Sequence, residues 1–378
     1  AGAIVVGLLG FTLRGAEFVF GNLVYQTVPV GTMGEGGFSA APGEVARTGA
    51  VFAFSVLPTI IFFSSLMAVT YHLGVMQRVV RASAWFMQRT MKTSGAESLS
   101  AAGNVFVGQT EAPLLVRPFV EKMTESELMA LMTGGFATVA GGVLAAYVGM
   151  LVAYFPDVAG HMLAASVMSA PAALVVAKIM LPETGEPETA QSLDVVVEKP
   201  DVNVIDAAAR GAAEGLTLAL NVGAMLLAFV ALIYMSNGIL GWIGGLVGFD
   251  GLTLELILGW ILAPLAWIMG VPWADAPFIG SLMGIKTVLN EFVAYLQLAG
   301  AIGDPTIGMP GGLAPRSVII ATYALSGFAN FGSIAMQIAG IGGIAPSRRQ
   351  DLSRLGLKAM IGGSIAAFMT ATVAGMIL

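Results

Sequence analysis

The sequence predicts an all-α polytopic membrane protein, on the strength of its composition and its long uncharged runs. Of the 378 residues, 57% are hydrophobic and only 11% are charged, and the mean hydropathy is +0.85. Soluble domains carry roughly a quarter charged residues, so a water-soluble fold is excluded. Several uncharged runs, of which 48–71 is the clearest, reach the roughly 18 residues that a spanning helix needs.

Residue types that support catalysis are scarce. The chain has no cysteine, which excludes disulfides and thiol catalysis, and its two histidines, His72 and His161, are far apart. The sequence has no Gly-x-Ser-x-Gly nucleophile motif either, so an enzyme is not expected. The formal net charge of −6 comes largely from one polar loop, 182–201, which we predict to be a solvated linker. Nucleic acid is therefore not an expected partner.

The apolar runs predict the order of the membrane spans. The first apolar stretch, 3–13, is shorter than a span, so we predict an interfacial or truncated segment with upstream residues missing. A Gly/Pro-rich loop follows at 28–43. The runs predicted to cross the membrane are 48–71, 128–155, 161–181, 215–239, 317–340 and 359–378.

Two further apolar regions, 94–123 and 273–301, are interrupted by polar residues near the middle, which is typical of re-entrant hairpins. An amphipathic surface helix precedes each, at 75–92 and 252–271, and two spans follow each. Lys/Arg clusters flank the first hairpin and precede the last span, so both should face the cytoplasm. Counting spans between them predicts two inverted repeats, an organisation common in secondary transporters.

The interruptions contain carboxylates that are costly inside a membrane, by about 2.5 to 3.5 kcal/mol or more. Glu111 lies in Gly-Gln-Thr-Glu-Ala-Pro at 108–113, and with Gln109 it could bind a flat, polar, uncharged ligand. The alternative is a carboxylate that only caps the hairpin tip. Glu291 follows Asn290 in the second interruption and could bind a pair of ligand hydroxyls, or form a salt bridge with Lys286.

Two glycine-rich stretches within the predicted spans complete the candidate site. The segment 326–333 contains two glycines and Asn330, which predicts local unwinding, with Asn330 and Ser333 on one face and Phe328 able to stack on a ring. Its counterpart at 133–142 contains Thr138, and Asn104 lies near the first hairpin tip. Hydroxyl and carbonyl oxygens suit a small cation, although packing of small residues explains these glycines more simply.

At these residues the chain resembles the concentrative nucleoside transporter family, in its bacterial form. The resemblance rests on the motifs at 108–113 and 284–292 and on 327–330 with Ser333. It implies a sodium-coupled nucleoside symporter of the inner membrane that takes up uridine-like nucleosides by alternating access. It also implies a homotrimer with eight spans per protomer, so the first two spans would be missing from the six predicted here.

The resemblance further implies a division of the chain into scaffold and transport parts. The expected parts are a scaffold part at 1–73 with an interfacial segment and one span, transport repeat 1 at 74–181, a cytoplasmic loop at 182–204, a scaffold span at 205–250, and transport repeat 2 at 251–378.

The resemblance also assigns individual positions. Contacts with the nucleobase fall on Gln109, Thr110, Glu111 and Val143. Contacts with the ribose fall on Glu291, Asn330 and Ser333, with Phe328 lining the pocket. The sodium site falls on Asn104, Val107, Thr138 and Val139, largely through backbone carbonyls.

Other functions stay open from the residues alone. A proton-coupled nucleoside symporter would use Glu111 or Glu291 as its proton carrier. A channel or an intramembrane enzyme belongs to a different class, and two separate hairpin breaks favour occlusion of a ligand over an open pore. Gradient-driven accumulation of unmodified uridine would separate transport from both.

Overall fold

The computed structural model describes residues 2–20, 24, 27–34, 37–47, 52–190, 201–249, 251–303 and 312–378. Across these residues the chain is almost entirely helical. The helices of the first half are α1 (Gly2–Phe20), α2 (Leu57–His72), α3 (Val75–Met91), α4 (Gly95–Asn104), α5 (Arg117–Val120), α6 (Glu125–Ala137), α7 (Gly141–Leu151) and α8 (Val158–Met180). Those of the second half are α9 (Val204–Leu246), α10 (Leu254–Ile268), α11 (Ala276–Val288), α12 (Glu291–Gly303), α13 (Pro315–Leu325), α14 (Phe331–Ile344) and α15 (Arg349–Ile377).

The exception to the helical pattern is a β-hairpin. Strand β1 (Thr27–Gly34) pairs antiparallel with β2 (Gly37–Arg47), and the pairing is irregular between Pro29 and Gly31. Proline has no N–H to donate to a ladder, so an irregularity beside it is expected. The prediction of a loop at 28–43 was therefore wrong, because the irregularity at Pro29 and Gly31 does not prevent the two strands from pairing.

Among the residues that the structure describes, four helical segments are long and apolar enough to cross a membrane. They are Gly2–Phe20, Glu125–Leu151, Val158–Met180 and Pro346–Ile377. The last three agree with the predicted spans. The first corrects the prediction that the apolar stretch at 3–13 is shorter than a span, because the helix has 19 residues and includes Arg14 and Glu17. Of the other predicted spans, 215–239 lies within α9, a helix of 43 residues.

The predicted span at 48–71 corresponds to a π-helical turn, Phe52–Val56, followed by α2, while 48–51 lies outside the described residues. Helix α3 leaves α2 at an angle of 78°. Gly74 lies at this bend with a φ of +78°, a conformation that favours glycine. The bend supports the prediction that the amphipathic segment at 75–92 leaves the membrane-spanning direction and lies along the surface.

Each interrupted region forms two helical arms joined by a tip. The first hairpin has α4 as its first arm, and its second arm is a 3-10 helix, Ala112–Val116, continued by α5. The second hairpin consists of α11 and α12. Helices α4 and α6 both begin with a capping box, in which a hydroxyl and a glutamate satisfy each other's backbone N–H groups. These caps fix where the first hairpin starts and where the span after it begins.

Two of the spans are broken, and the breaks lie against each other. Helix α6 ends at Ala137 and α7 begins at Gly141, while α13 ends at Leu325 and α14 begins at Phe331. The predicted span at 317–340 is thus two short helices, and the predicted unwinding is confirmed. Gly327, in the second break, has a φ of +98°, and a Cβ there would lie 2.6 Å from the carbonyl oxygen of Phe136. The close approach therefore requires glycine.

The two basic clusters lie at the same end of the molecule, as their charge predicts. Arg348 Nη1 donates to the carbonyl oxygen of Glu121 at 3.0 Å, and Arg354 pairs with Glu125. The neighbouring polar loop corrects one prediction. Thr189 is buried, and its carbonyl and hydroxyl oxygens accept hydrogen bonds from the backbone of Gly95 and Ala96. That part of the loop packs against the first hairpin and is not a solvated linker; residues 191–200 lie outside the described residues.

Candidate functional site

The candidate site lies where the hairpin tips meet the two breaks. Glu291 is the first residue of α12 and is only 4% exposed. Its Oε1 accepts a hydrogen bond from the hydroxyl of Tyr147 at 2.8 Å, and its Oε2 accepts one from Nδ2 of Asn330 at 3.0 Å. Its position in the first turn of a helix also favours a negative charge. These contacts provide the compensation that a buried carboxylate needs.

Asn330 connects the second break to the second hairpin. It is the N-cap of α14, since its Oδ1 accepts a hydrogen bond from the backbone N–H of Ser333 at 2.8 Å. Its Nδ2 remains available for Glu291. The cap explains why the chain can be helical again directly after the break, and it orients the amide toward the hairpin.

Lys286 does not form the salt bridge that was weighed as the alternative for Glu291. Among the described residues it has no ion-pair partner, although it is only 1% exposed. Its Nζ donates instead to the carbonyl oxygens of Ala324 and Ser326, at 3.0 and 2.8 Å. These carbonyls become free where α13 stops, and a cation at a helix C-terminus is favourable. Lys286 therefore stabilises the second break.

Tyr147 is a site residue that the sequence analysis missed. It is fully buried in α7, and its ring centroid lies 5.2 Å from that of Phe292 and 4.5 Å from that of Tyr295. The signal that could have found it is spacing, because Tyr147 lies four residues after Val143, a predicted site position, and therefore on the same helical face.

Gln109 joins the first hairpin to α14. Its Nε2 donates to Oγ of Ser333 at 3.1 Å, and its Oε1 accepts from Nε2 of Gln337 at 3.1 Å. Gln337 was also missed; it lies one helical turn after Ser333, which is the pattern that could have indicated it. Thus a hydrogen-bonded chain runs from hairpin 1 to α14, and Asn330 continues it to hairpin 2.

Glu111 lies on the open side of the first tip. Its side chain is exposed, and its Oε1 accepts a hydrogen bond from the hydroxyl of Thr110 at 2.9 Å. Glu111 precedes the 3-10 helix of the hairpin and makes no side-chain capping hydrogen bond to that helix, but its carboxylate lies against the backbone of Gly108, a contact that fits the alternative role of holding the hairpin tip. A Cβ at Gly108 would lie 2.1 Å from Oε2 of Glu111, so glycine gives the carboxylate its room.

The remaining predicted ligand contacts are distributed around these residues. Val143 is buried in α7, and Phe328 is half-buried in the second break. The structure therefore brings Gln109 and Ser333 into contact, and likewise Glu291 and Asn330. Thr110 and Glu111 contact each other and make no hydrogen bond to either pair among the described residues.

The predicted cation site lies at the first break. Asn104 ends α4; its Oδ1 is buried and has no hydrogen-bond donor among the described residues. Thr138 and Val139 are buried in the break, and the hydroxyl of Thr138 donates to the carbonyl oxygen of Gly134 at 2.8 Å, which leaves its lone pairs free. Val107 is half-buried. Neutral oxygens of this kind fit a monovalent cation, and the unpaired Asn104 oxygen points to one.

Comparisons with known proteins place the chain among nucleoside transporters. The family described as "Na+ dependent nucleoside transporter C-terminus" matches residues 161–375, and the family described as "Gate: Nucleoside recognition" matches residues 53–154. An uncharacterized transporter of Haemophilus influenzae is 45% identical over 100% of this chain and 84% of its own length. The sodium/nucleoside cotransporter 1 of Rattus norvegicus is 42% identical over 98% of this chain, which spans 54% of that protein.

Solved structures agree with this placement. A structure of CNTnw in an inward-facing substrate-bound state has a TM-score of 0.85 and 46% identity, over 100% of this chain and 84% of that one. A variant of CNTnw in an outward-facing state has a TM-score of 0.87 at the same identity, over 100% and 85%. This chain belongs to the concentrative nucleoside transporter family, and it is a multi-pass membrane protein.

Proposed function

We propose that the protein is a sodium-coupled symporter that carries nucleosides into the cell by alternating access. The observation that carries the proposal is the hydrogen-bonded chain from Gln109 through Ser333 and Asn330 to Glu291. It joins both hairpin tips and the second break at one place, and irregular backbone at membrane depth is tolerated only where protein or a watery cavity satisfies it. Binding sites of secondary transporters lie at such breaks.

The two ends of this hydrogen-bonded chain, Gln109 and Glu291, suit the two halves of a nucleoside. Glu291 is an acceptor whose remaining lone pairs can bind a pair of ribose hydroxyls, and Asn330 and Ser333 lie beside it. Gln109, Thr110 and Glu111 offer both donors and acceptors to the edge of a planar base. Val143 and Phe328 supply apolar surface for the ring.

Sodium would bind at the first break, on Asn104, Val107, Thr138 and Val139. One Na⁺ that enters across 100 mV supplies about 2.3 kcal/mol, enough to concentrate an uncharged solute roughly fifty-fold. Coupling requires only that the ion stabilise the conformation of hairpin 1 that binds nucleoside. Asn104, at the end of the first arm of that hairpin, is suitably placed for this.

Alternating access requires one part of the protein to move against another. We propose that residues 74–181 and 251–378 form the mobile transport part, while 1–73 and 205–250 form the scaffold of a homotrimer in the bacterial inner membrane, with the loop 182–204 in the cytoplasm. Relatives with inward-facing and outward-facing structures support the proposal that the same fold moves between these states.

The test is uptake of labelled uridine into proteoliposomes with an inward sodium gradient. We expect saturable accumulation above equilibrium, and its loss when choline replaces sodium. Uptake in choline driven by a pH gradient would instead assign proton coupling, with Glu111 or Glu291 as carrier. Non-saturable equilibration would indicate a channel, and chemical change of the uridine would indicate an enzyme.

A further inference from the structure

Gln337 is a buried amide that contacts Gln109 on the side of α6. Its Nε2 lies 3.1 Å from Oε1 of Gln109 and 3.1 Å from the carbonyl oxygen of Met132, and the residue is 0% exposed. We propose that Gln337 determines base specificity by fixing the orientation of the Gln109 amide, and with it the hydrogen-bonding group that Gln109 offers to a ligand. The inference rests on the proposed function, because it needs a nucleobase beside Gln109.

The contacts determine which atom donates in each hydrogen bond that links Met132, Gln337, Gln109 and Ser333. A backbone carbonyl can only accept, so the nitrogen of Gln337 has to face Met132. The second hydrogen of the same nitrogen then meets Oε1 of Gln109. This leaves Nε2 of Gln109 facing Oγ of Ser333, which accepts at 3.1 Å. One hydrogen of Gln109 Nε2 is used there, and the other is available to a ligand.

Packing alone does not explain a glutamine at position 337. Its Oε1 is buried without a donor in the part of the chain that the structure describes, which is unfavourable for stability. A leucine would fill a similar volume without that penalty. Room is nevertheless kept for both amides, because a Cβ on Gly135 would lie 2.8 Å from Nε2 of Gln337 and 2.9 Å from Cβ of Gln109.

A fixed amide discriminates between bases, whereas a free amide does not. With Gln109 held as found, an incoming base meets an N–H donor, so an acceptor on its edge is favoured at that point. If the amide could turn over, it would offer its carbonyl oxygen equally well, and bases with a donor there would bind as readily. The ranking of nucleosides thus depends on a residue that need not touch them.

The experiment is competitive inhibition of labelled uridine uptake by uridine, cytidine and adenosine, using the full chain in proteoliposomes. Consider the two nucleosides whose inhibition constants differ most in the native protein. Gln337→Leu should move the ratio of these two inhibition constants toward one by about fivefold, the effect of one mismatched hydrogen bond. Gln337→Glu should reverse the ratio, because its carboxyl group accepts from Gln109 and, when protonated, donates to Met132.

Two controls make the result decisive. Thr370→Val removes a buried hydroxyl that bonds only the carbonyl of Ala367 in its own helix, so the ratio should not change. Gln109→Leu, measured alongside, tests base recognition itself. If it changes the ranking while both Gln337 variants keep it, Gln337 is only a packing residue and the inference is overturned.

If the Gln109 variant also preserves the ranking, Gln109 does not recognise the base, and the inference about Gln337 is overturned as well. Absence of saturable nucleoside uptake by the native protein would contradict the proposed function itself. Should Gln337→Leu fail to fold, Gln337→Met retains the unbranched shape without the amide and carries the same expectation.

Discussion

The two hairpin tips each carry a glutamate, but the surroundings of the two carboxylates differ. Glu291 is buried and accepts hydrogen bonds from Tyr147 and Asn330, which belong to the two broken spans. Glu111 is exposed, and its side-chain donor is the adjacent Thr110. The carboxylate of hairpin 2 is therefore held in place by the fold, whereas that of hairpin 1 is open to its environment. On the proposed assignment, the sugar end of the site is preorganised, whereas at the base end Gln109 is held by Ser333 and Gln337 and only the Glu111 carboxylate remains adaptable.

The ends of the two hairpins that lie away from their tips resemble each other more than the tips do. In hairpin 1, Ser94 donates to Glu127 at the start of α6. In hairpin 2, Asp275 accepts hydrogen bonds from the backbone of Ala314 at 3.0 Å and from the hydroxyl of Ser317, at the start of α13. Each hairpin is thus tied by a carboxylate to the beginning of the span that follows it. Motion that opens a site is expected at the tips, where the two halves differ.

The largest effect is expected at the crossing of the two breaks. Gly327→Ala should abolish uptake and lower the yield of folded protein, because a Cβ there would lie 2.6 Å from the carbonyl oxygen of Phe136. The left-handed backbone adds a cost of about 1 to 3 kcal/mol. Gly343→Ala is the control, since no atom lies within 4 Å of a Cβ at that helical position. Equal thermal stability of the two variants would contradict the close approach.

At the preorganised tip, Glu291→Gln should weaken binding of uridine, cytidine and adenosine together. Hydrogen bonds to a charged group contribute about 1.5 to 3 kcal/mol, which is roughly ten- to a hundredfold in affinity. Isothermal titration of the purified protein with each nucleoside measures the change. An unaltered affinity for uridine would contradict the ribose assignment.

Tyr147→Phe should have a smaller effect, of about fivefold, because it removes one of the donors that position Glu291 and leaves the carboxylate itself in place. Tyr295→Phe is a matched control, since that hydroxyl donates to the carbonyl oxygen of Thr322 and not to Glu291. Equal losses of nucleoside affinity in the two variants would assign Tyr147 to packing.

The smallest effect is expected at the first break. Thr138→Ala should raise the sodium concentration for half-maximal uptake by a factor of about three, while uptake at saturating sodium stays nearly intact, because the other proposed ligands survive the substitution. Thr322→Ala removes a comparable hydroxyl that bonds its own helix at Val318. Unchanged sodium dependence in the Thr138 variant would place the ion elsewhere.

Local chemistry explains which features could be predicted from the sequence. Interrupted apolar runs identified both hairpins, and two glycines beside Asn330 identified the break between α13 and α14. Tyr147 and Gln337 interrupt no apolar pattern, so their helical spacing from Val143 and Ser333 is the signal that the sequence offers for them. Their partners, Glu291 and Gln109, become evident only from tertiary contacts. The alternative salt bridge between Lys286 and Glu291 does not form, and the sequence does not show which carbonyls a distant helix leaves free for Lys286.

Helix α1 and the β-hairpin show a second limit. The run at 3–13 was judged by its uninterrupted apolar length, but the helix includes Arg14 and Glu17 and continues to Phe20. Gly and Pro between 28 and 43 predict a loop, although the backbone pairs as β1 and β2. In both segments the secondary structure depends on more residues than those that give the strongest local signal.

The central claim is that Gln109 reads the base while Glu291 reads the sugar. Its most direct test is competitive inhibition of uridine uptake by uridine, cytidine and adenosine in Gln109→Leu and Glu291→Gln. We expect the ranking of the three nucleosides to change in the first variant, because a buried polar group left unpaired rejects some bases more than others. In the second variant all three should weaken in parallel. Parallel losses in the Gln109 variant, with the ranking preserved, would contradict the claim.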